Sequence, residues 1–238
     1  MKKCLILVDY ANCDWKKIDF KQLVFDICLN CKKNGHVIDL LIFRFFGGWY
    51  LENEVAEQKF DAQRKIASWP TMLRVELNVV RISYTFADGI IGYEQNDNAI
   101  IRQTYVQRRA KLKGIKIKKK ENCTNMACSI KTVQRWLGSS HSCTLKGCET
   151  KFDDMFVRYE QKQVDSHLLC DFILSLKDDK YSKIFIMSSD IDFMPGIQTA
   201  VLLGMSSKIG IIKTKNLSNY QFDFIKNNNL TLLSSEGE

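Results

Sequence analysis

The sequence predicts an α/β fold with a mostly parallel sheet. Short apolar segments typical of buried strands alternate along the chain with longer segments of helical periodicity, and this alternation favours a parallel sheet. The first segment, KKCLILVDYAN, carries five apolar or thiol side chains in a row before Asp9, which predicts a buried strand. With 238 residues, 45% of them hydrophobic, and only two prolines, the chain is long enough to bury a core.

The first half of the chain supplies two further strands and two helices. A helix is predicted from about Asp19 to Asn34, and HVIDLLIFRFF (36–46) is predicted as the second strand. Residues 52–68 are predicted as a polar helix, and LRVELNVVRISYTF (73–86) as a single strand.

The second half of the chain repeats the alternation. Asp97 is predicted to cap a basic helix that runs to Lys113, where Gly114 ends it, and a helix is predicted to open near Asp165. The other predicted elements are the strand IKIKK (115–119), the buried strand SKIFIMSSD (182–190), the helix PGIQTAVLLG (195–204) and the strand SSKIGIIK (206–213). The whole pattern predicts a Rossmann-like sheet.

The positive charge of the chain is concentrated in one stretch. The net charge is +8, and residues 101–120 contain nine basic and no acidic side chains. Such a block favours polyanions, above all nucleic acid, although a solvated helix face is the alternative. The basic residues are Arg102, Arg108, Arg109, Lys111, Lys113, Lys116, Lys118, Lys119 and Lys120, of which we assign nucleic-acid binding to Arg102, Arg108, Arg109, Lys118, Lys119 and Lys120.

Neither a signal peptide nor a membrane-spanning segment is predicted. The N-terminal segment becomes polar and acidic too early for a signal peptide, and no run of about 18 apolar residues occurs. We therefore expect a cytoplasmic protein without a membrane partner.

Aspartates follow two of the predicted buried strands. Asp9 ends the first strand, and Asp190 ends SKIFIMSSD, with Asp192 two residues later. Because ligands of open parallel sheets bind outside the carboxyl ends of the strands, these carboxylates are candidates for one cleft. Converging carboxylates repel one another, and Mg²⁺ or Mn²⁺ bound to their oxygens would offset that repulsion. Helix capping is the alternative role for Asp192.

Asp165 falls within the apolar stripe of its predicted helix, which includes Val164, Leu168 and Phe172. A carboxylate there needs a partner, so we predict that Asp165 turns to the same metal. Capping of the helix N-terminus is the alternative. On the same helix, Asp171 is predicted to lie on the flank and His167 to face solvent.

Three segments together resemble the NYN domain family, a branch of the PIN-like nucleases: LILVDYAN, KQVDSHLLCDFI and IFIMSSDIDFMPGIQTAVLLG. The resemblance implies an acidic site formed by Asp9, Asp165, Asp190 and Asp192, with Asn12 and Ser188 orienting ligands or water. The family usually has glycine where this chain has Gln163 and Ser189.

The resemblance implies a PIN-like fold and metal-dependent hydrolysis of phosphodiester bonds, with RNA a more usual substrate than DNA. One alternative is a nucleic-acid-binding protein that keeps the acidic pocket without turnover. A phosphatase of the haloacid dehalogenase type is a weaker alternative, because that class expects a second aspartate where this chain has Ala11.

A cysteine-rich stretch interrupts the nuclease pattern. Two pairs of cysteines, each with four residues between its members, predict a structural Zn²⁺ bound by four thiolates: Cys123, Cys128, Cys143 and Cys148. His141 could replace one of them, and a surface loop with free thiols is the alternative. We therefore predict a nuclease domain of residues 1–120 and 159–238 with a zinc-bound insertion of residues 121–158.

Overall fold

The computed structural model describes residues 1–51, 54–91, 104–109 and 157–236, and of residues 105–109 and 157–160 it describes the backbone alone. The chain divides into two compact units, one of Met1–Tyr105 with Gln161–Glu238 and the other of Val106–Glu160. The predicted zinc-bound insertion and most of the basic stretch lie outside the described residues.

Seven strands form the main sheet, in the order β11-β10-β9-β1-β2-β6-β5. All neighbouring pairs are parallel except β5 and β6, so the prediction of an α/β fold with a mostly parallel sheet is confirmed. The described strands are β1 (Lys3–Asp9), β2 (Leu40–Phe46), β3 (Tyr50–Leu51), β4 (Glu54–Val55), β5 (Met72–Val75), β6 (Asn78–Phe86), β7 (Tyr105–Arg109), β8 (Val157–Gln161), β9 (Tyr181–Met187), β10 (Ile209–Lys213) and β11 (Thr231–Ser234).

Helices cover both faces of this sheet. They are α1 (Phe20–Lys33), α2 (Glu57–Ile66), α3 (Val164–Leu176), α4 (Met194–Leu202) and α5 (Asn219–Asn227). Along β1, Cys4, Ile6 and Val8 pack in one core with α1 and α2, whereas Leu5 and Leu7 pack in the other with α3, α4 and α5. The continuous apolar run before Asp9 therefore reflects burial on both faces.

The boundaries of α1 agree closely with the prediction. Asp19 is its N-cap, and the Asp19 side chain accepts hydrogen bonds from the backbone nitrogens of Lys21 and Gln22. Gly35 follows the helix with a φ of 80°, a backbone conformation that glycine adopts without strain.

Two predicted elements are wrong. Residues 73–86 form no single strand, because Glu76 takes a φ of 53° and turns the chain back, so that β5 runs antiparallel to β6. The basic helix predicted to run from Asp97 to Lys113 is wrong over Tyr105–Arg109, which form β7. Pairing of β7 with β3, at Tyr105 and Leu51, supplies backbone hydrogen bonds that helical propensity does not anticipate.

Two elements near the C-terminus, α5 and β11, were not predicted from the sequence. Ser218 and Gln221 form a capping box at the first turn of α5. Their spacing in the sequence is the signal that could have predicted this helix. Among the described residues, no helix combines the length and the apolar character needed to cross a membrane.

Candidate carboxylate site

The carboxyl end of β1 lies at the point where the chain order of the sheet reverses. β1 has β2 on one side and β9 on the other, and ligands of open α/β sheets bind at such a crevice. Val8 pairs with Met187 in the parallel register of β1 and β9. Asp9 and Ser188 therefore follow paired residues at the same edge of the sheet.

Asp9 is buried at this edge and is held by a serine. Its side chain is only 5% exposed, and its Oδ2 accepts a hydrogen bond of 3.0 Å from the Ser188 hydroxyl. Ser188 Oγ in turn accepts a 3.1 Å hydrogen bond from the backbone nitrogen of Asp190. Ser188 thus links the carboxylate of Asp9 to the backbone of Asp190.

Asn12 joins the ends of three strands. Its Oδ1 accepts hydrogen bonds from the backbone nitrogen of Ser189 at 3.3 Å and from the Thr214 hydroxyl at 2.7 Å. Because this oxygen is engaged by the protein, the ligand-orienting role predicted for Asn12 would require its amide nitrogen.

Asp190 and Asp192 lie on the turn that follows β9. Asp190 caps a short 3₁₀ turn, Ile191–Phe193, and its Oδ1 accepts a 3.0 Å hydrogen bond from the backbone nitrogen of Asp192. The cap is therefore Asp190 and not Asp192, whose side chain is exposed. The capping alternative for Asp192 is wrong.

Asp165 is the second residue of α3 and is not its cap. The N-cap is Gln163, which has a φ of 63° and no side-chain capping bond. Asp165 is exposed at the rim of the apolar stripe, so both the capping alternative and the expectation that Asp165 falls within the stripe are wrong. The observed buried face of α3 consists of Val164, His167, Leu168, Asp171, Phe172, Ser175 and Leu176.

The four carboxylates interact electrostatically. Burial is the main cause that raises the pKa of Asp9 to about 6; the Ser188 hydroxyl and the Asn12 backbone oppose the rise, and the charges of Asp165 and Asp190 add to it. Burial also raises the pKa of Asp165, followed by the charges of Asp190 and Asp192. The site therefore concentrates negative charge that the protein itself leaves partly uncompensated.

The donor set fits a hydrated Mg²⁺ or Mn²⁺ ion better than a fully protein-bound one. In the described part of the chain, no three His, Cys, Asp or Glu side chains come together closely enough to hold an ion by themselves. Mutual repulsion keeps bare carboxylates apart, and Mg²⁺ commonly takes one or two carboxylates and completes its shell with water and phosphate oxygens. Oxygen donors alone also suit these ions better than Zn²⁺.

A buried ion pair behind this site was missed from the sequence. Asp171 is fully buried, its Oδ2 accepts a 2.6 Å hydrogen bond from Arg44 Nε, and its Oδ1 accepts one of 2.7 Å from the backbone nitrogen of Ile91. Arg44 also donates to the carbonyl of Gly89 at 2.8 Å. Asp171 is therefore not on the flank of α3. The missed signal was its spacing of seven residues from Val164, which lies on the buried face.

His167 is also buried, contrary to the expectation that it faces solvent. Burial and the nearby Arg44 charge lower its pKa, so the imidazole is held neutral against the helix–sheet interface.

No protein family model matches this chain, and neither a curated protein nor a solved structure does. The fold and the site therefore rest on the geometry given above.

The raised pKa of Asp9 predicts a pH-dependent stability in the absence of divalent ions. The pKa of Asp9 rises from 3.8 to about 6 on folding. Its protonated carboxyl therefore contributes its full stabilisation of the folded state below pH 3.8, and this stabilisation is lost as the pH rises through about 6. Its full size is at most about 3 kcal/mol. We therefore expect Asp9→Asn, which does not titrate, to gain unfolding free energy relative to the parent between pH 4.5 and pH 7.5.

Urea unfolding of both proteins in EDTA at the two pH values measures this gain. The amide introduced by Asp9→Asn keeps an oxygen that accepts from Ser188, so the comparison isolates the charge. If the difference in unfolding free energy between parent and variant stays constant with pH, the result would contradict the raised pKa of Asp9.

Proposed function

We propose that this protein is a metal-dependent nuclease that hydrolyses phosphodiester bonds, RNA in preference to DNA, with Mg²⁺ or Mn²⁺ at Asp9, Asp165, Asp190 and Asp192. One observation carries the proposal. Carboxylates from three separate chain segments interact at the carboxyl edge of the parallel sheet, and none of them forms an ion pair with the described Lys, Arg or His side chains. An acidic site of this kind, with one buried carboxylate and no basic partner among the described residues, is typical of a divalent metal site.

The residues of the site divide into metal-binding and positioning groups. Asp9 and Asp190 are the inner ligands, since Ser188 contacts the side chain of one and the backbone of the other. Asp165 and Asp192, which are more exposed, bind the ion through its water molecules. A bound divalent ion supplies a hydroxide at neutral pH and neutralises charge on the phosphate under attack. Ser188 and Asn12 hold the strand ends in place through the hydrogen bonds given above.

The backbone at Gln163 adds support for the resemblance to NYN domains. Its left-handed conformation, with a φ of 63°, is one that glycine adopts without strain, and that family usually has glycine at this position. A PIN-like fold, a cytoplasmic location and a zinc-bound insertion of residues 121–158 belong to the same proposal.

A cleavage assay tests the proposal. Purified protein is incubated with labelled single-stranded RNA, duplex RNA, transfer RNA and single-stranded DNA, in Mn²⁺, Mg²⁺ or EDTA. We expect cleavage that requires the divalent ion and is faster on RNA. Tight binding of these nucleic acids with no metal-dependent cleavage would instead favour a binding protein that keeps the acidic pocket.

The cysteine pairs predict about one Zn²⁺ per chain. Elemental analysis of protein purified without added zinc measures it, and Cys143→Ser should lower the zinc content while the sheet stays folded, because a metal-bound insertion folds as its own unit. A zinc-free protein with all four thiols titrating freely under native conditions would contradict the prediction.

The basic stretch predicts salt-dependent binding. Replacing Arg108, Arg109, Lys118 and Lys119 with Glu should weaken RNA binding by at least about a hundredfold and flatten its dependence on salt, because each lost phosphate contact removes about 0.7 released counterions from the slope. Turnover at saturating RNA should change less. Unchanged affinity and slope would mean that the stretch is a solvated surface.

A further inference from the structure

A lysine-lined pocket lies beside the carboxylate site, at the carboxyl ends of β10 and β11. It encloses about 270 Å³, and its lining includes Lys17, Lys213, Lys215 and Glu236. Lys213 and Ser234, which also lines the pocket, are paired residues of the two adjacent strands. Both therefore reach the pocket from the ends of the parallel strands.

The charge of this pocket favours an anion. In the part of the chain that the structure describes, Lys213 and Lys215 form no ion pair. Lys17 contacts Asp14 and Glu236 at 3.7 Å each, and all three side chains are substantially exposed, so these pairs hold Lys17 weakly. The lining thus includes three lysines and one acidic residue, and two of the lysines have no acidic partner among the described residues.

Hydrogen bonds fix the pocket relative to the carboxylates. Thr214, between the two unpaired lysines, donates to Asn12 at 2.7 Å. Ser189 Oγ donates to the carbonyl of Lys215 at 3.0 Å and accepts from the backbone nitrogens of Thr214 and Lys215 at 2.9 Å each. Asn12 follows Asp9 by three residues and Ser189 precedes Asp190, so the segments that carry the lysines and the carboxylates are bonded directly to each other.

We propose that this pocket binds a phosphate group of the nucleic-acid substrate, next to the phosphodiester that is hydrolysed at the carboxylates. The inference rests on the proposed function and specifies where the protein binds the nucleic-acid strand. A cluster of carboxylates repels a polyanion, so a substrate strand needs cations beside it to approach. The phosphate is either a terminal monophosphate or an internal phosphodiester, since the ammonium groups recognise both.

The surroundings of Lys17 favour a strand over a small free anion. Lys17 also lines a second, shallower depression together with Lys16, Lys21 and the half-buried Trp69. Trp69 packs on Phe20, with ring centroids 4.5 Å apart, so the lysines, and not the ring, are the groups available to contact phosphates. The two depressions share Lys17, and each also has one acidic lining residue, Glu236 in the first and Asp19 in the second. Three lysines line each depression, so the strand meets a mainly basic surface.

Binding measured without turnover tests this inference. Fluorescence anisotropy in EDTA compares the parent with Lys213→Gln/Lys215→Gln, using single-stranded RNA of about ten nucleotides that carries a 5′-phosphate or a 5′-hydroxyl. Each lost contact should weaken binding several-fold, and the double variant should show a loss of at least about tenfold, with a salt slope smaller by about 1.4. Lys226→Gln, at an exposed lysine in the last turn of α5, removes one positive charge outside the pocket and should bind like the parent.

The two RNA ends separate the sources of the phosphate. If the parent prefers the 5′-phosphate RNA and the double variant does not, the pocket binds a terminal monophosphate. Equal losses for both RNAs assign it to an internal phosphodiester. A folded double variant that binds like the parent, or that loses no more affinity than Lys226→Gln, overturns the pocket inference alone. A parent that binds neither RNA overturns the proposed function and this inference with it.

Discussion

Asp165→Asn should reduce the cleavage rate at saturating RNA by at least about a hundredfold, since removing an interaction worth several kcal/mol with the metal slows the reaction by that much. The amide keeps the shape of the side chain and loses the charge that attracts a divalent ion. Thermal stability in EDTA should stay the same or rise slightly, because burial and the charges of Asp190 and Asp192 already raise the pKa of this carboxyl. Cleavage and melting temperature are measured together, with and without Mn²⁺.

Glu57→Gln is the matched control for this substitution. Glu57 is an exposed acidic residue in the first turn of α2, so its loss removes the same favourable interaction with a helix N-terminus. It lies outside the carboxylate site, and cleavage should remain at the parental rate. If Asp165→Asn also cleaves at nearly the parental rate, with an unchanged Mn²⁺ requirement, the metal site must be formed by Asp9, Asp190 and Asp192 alone.

Arg44→Met should lower the unfolding free energy by about 3–5 kcal/mol at neutral pH, because it removes the guanidinium that pairs with the fully buried Asp171 carboxylate. The cost should shrink toward pH 5. Loss of the neighbouring positive charge raises the folded pKa of a buried carboxyl, so the protein regains stability as Asp171 takes up a proton. Chemical denaturation at the two pH values measures both effects.

The double variant Arg44→Met/Asp171→Leu separates the pair from its packing. Removing both charges also removes their desolvation cost, so the double variant should be less destabilised than the sum of Arg44→Met and Asp171→Leu by about 2 kcal/mol or more. Each side chain also holds the 89–91 segment, through Gly89 and Ile91, so some loss should remain. Additive losses would mean that the two charges do not stabilise each other.

Local patterns in the sequence were enough to predict several elements. The apolar run before Asp9 predicted β1, and the helix predicted from about Asp19 to Asn34 corresponds to α1. Such signals depend on residues within one or two turns of each other, where side-chain periodicity and capping act directly. For the same reason, the sequence predicted that Asp9 and Asp190 follow buried strands, although it did not predict which residues lie next to them.

The strand order, the Arg44–Asp171 pair and the lysine pocket were decided only by the tertiary structure. Arg44 and Asp171 are 127 residues apart in the chain, and Thr214 lies 202 residues from Asn12, so no local periodicity relates them. The strand order set which strand ends became neighbours. It thereby brought Thr214 and Lys215, which follow β10, next to Asn12 and Ser189. The amino-acid sequence thus determined which side chains lie at the ends of the strands. Packing of the whole sheet determined which of these side chains come into contact, because pairing between distant strands depends on burying both faces of the sheet at once.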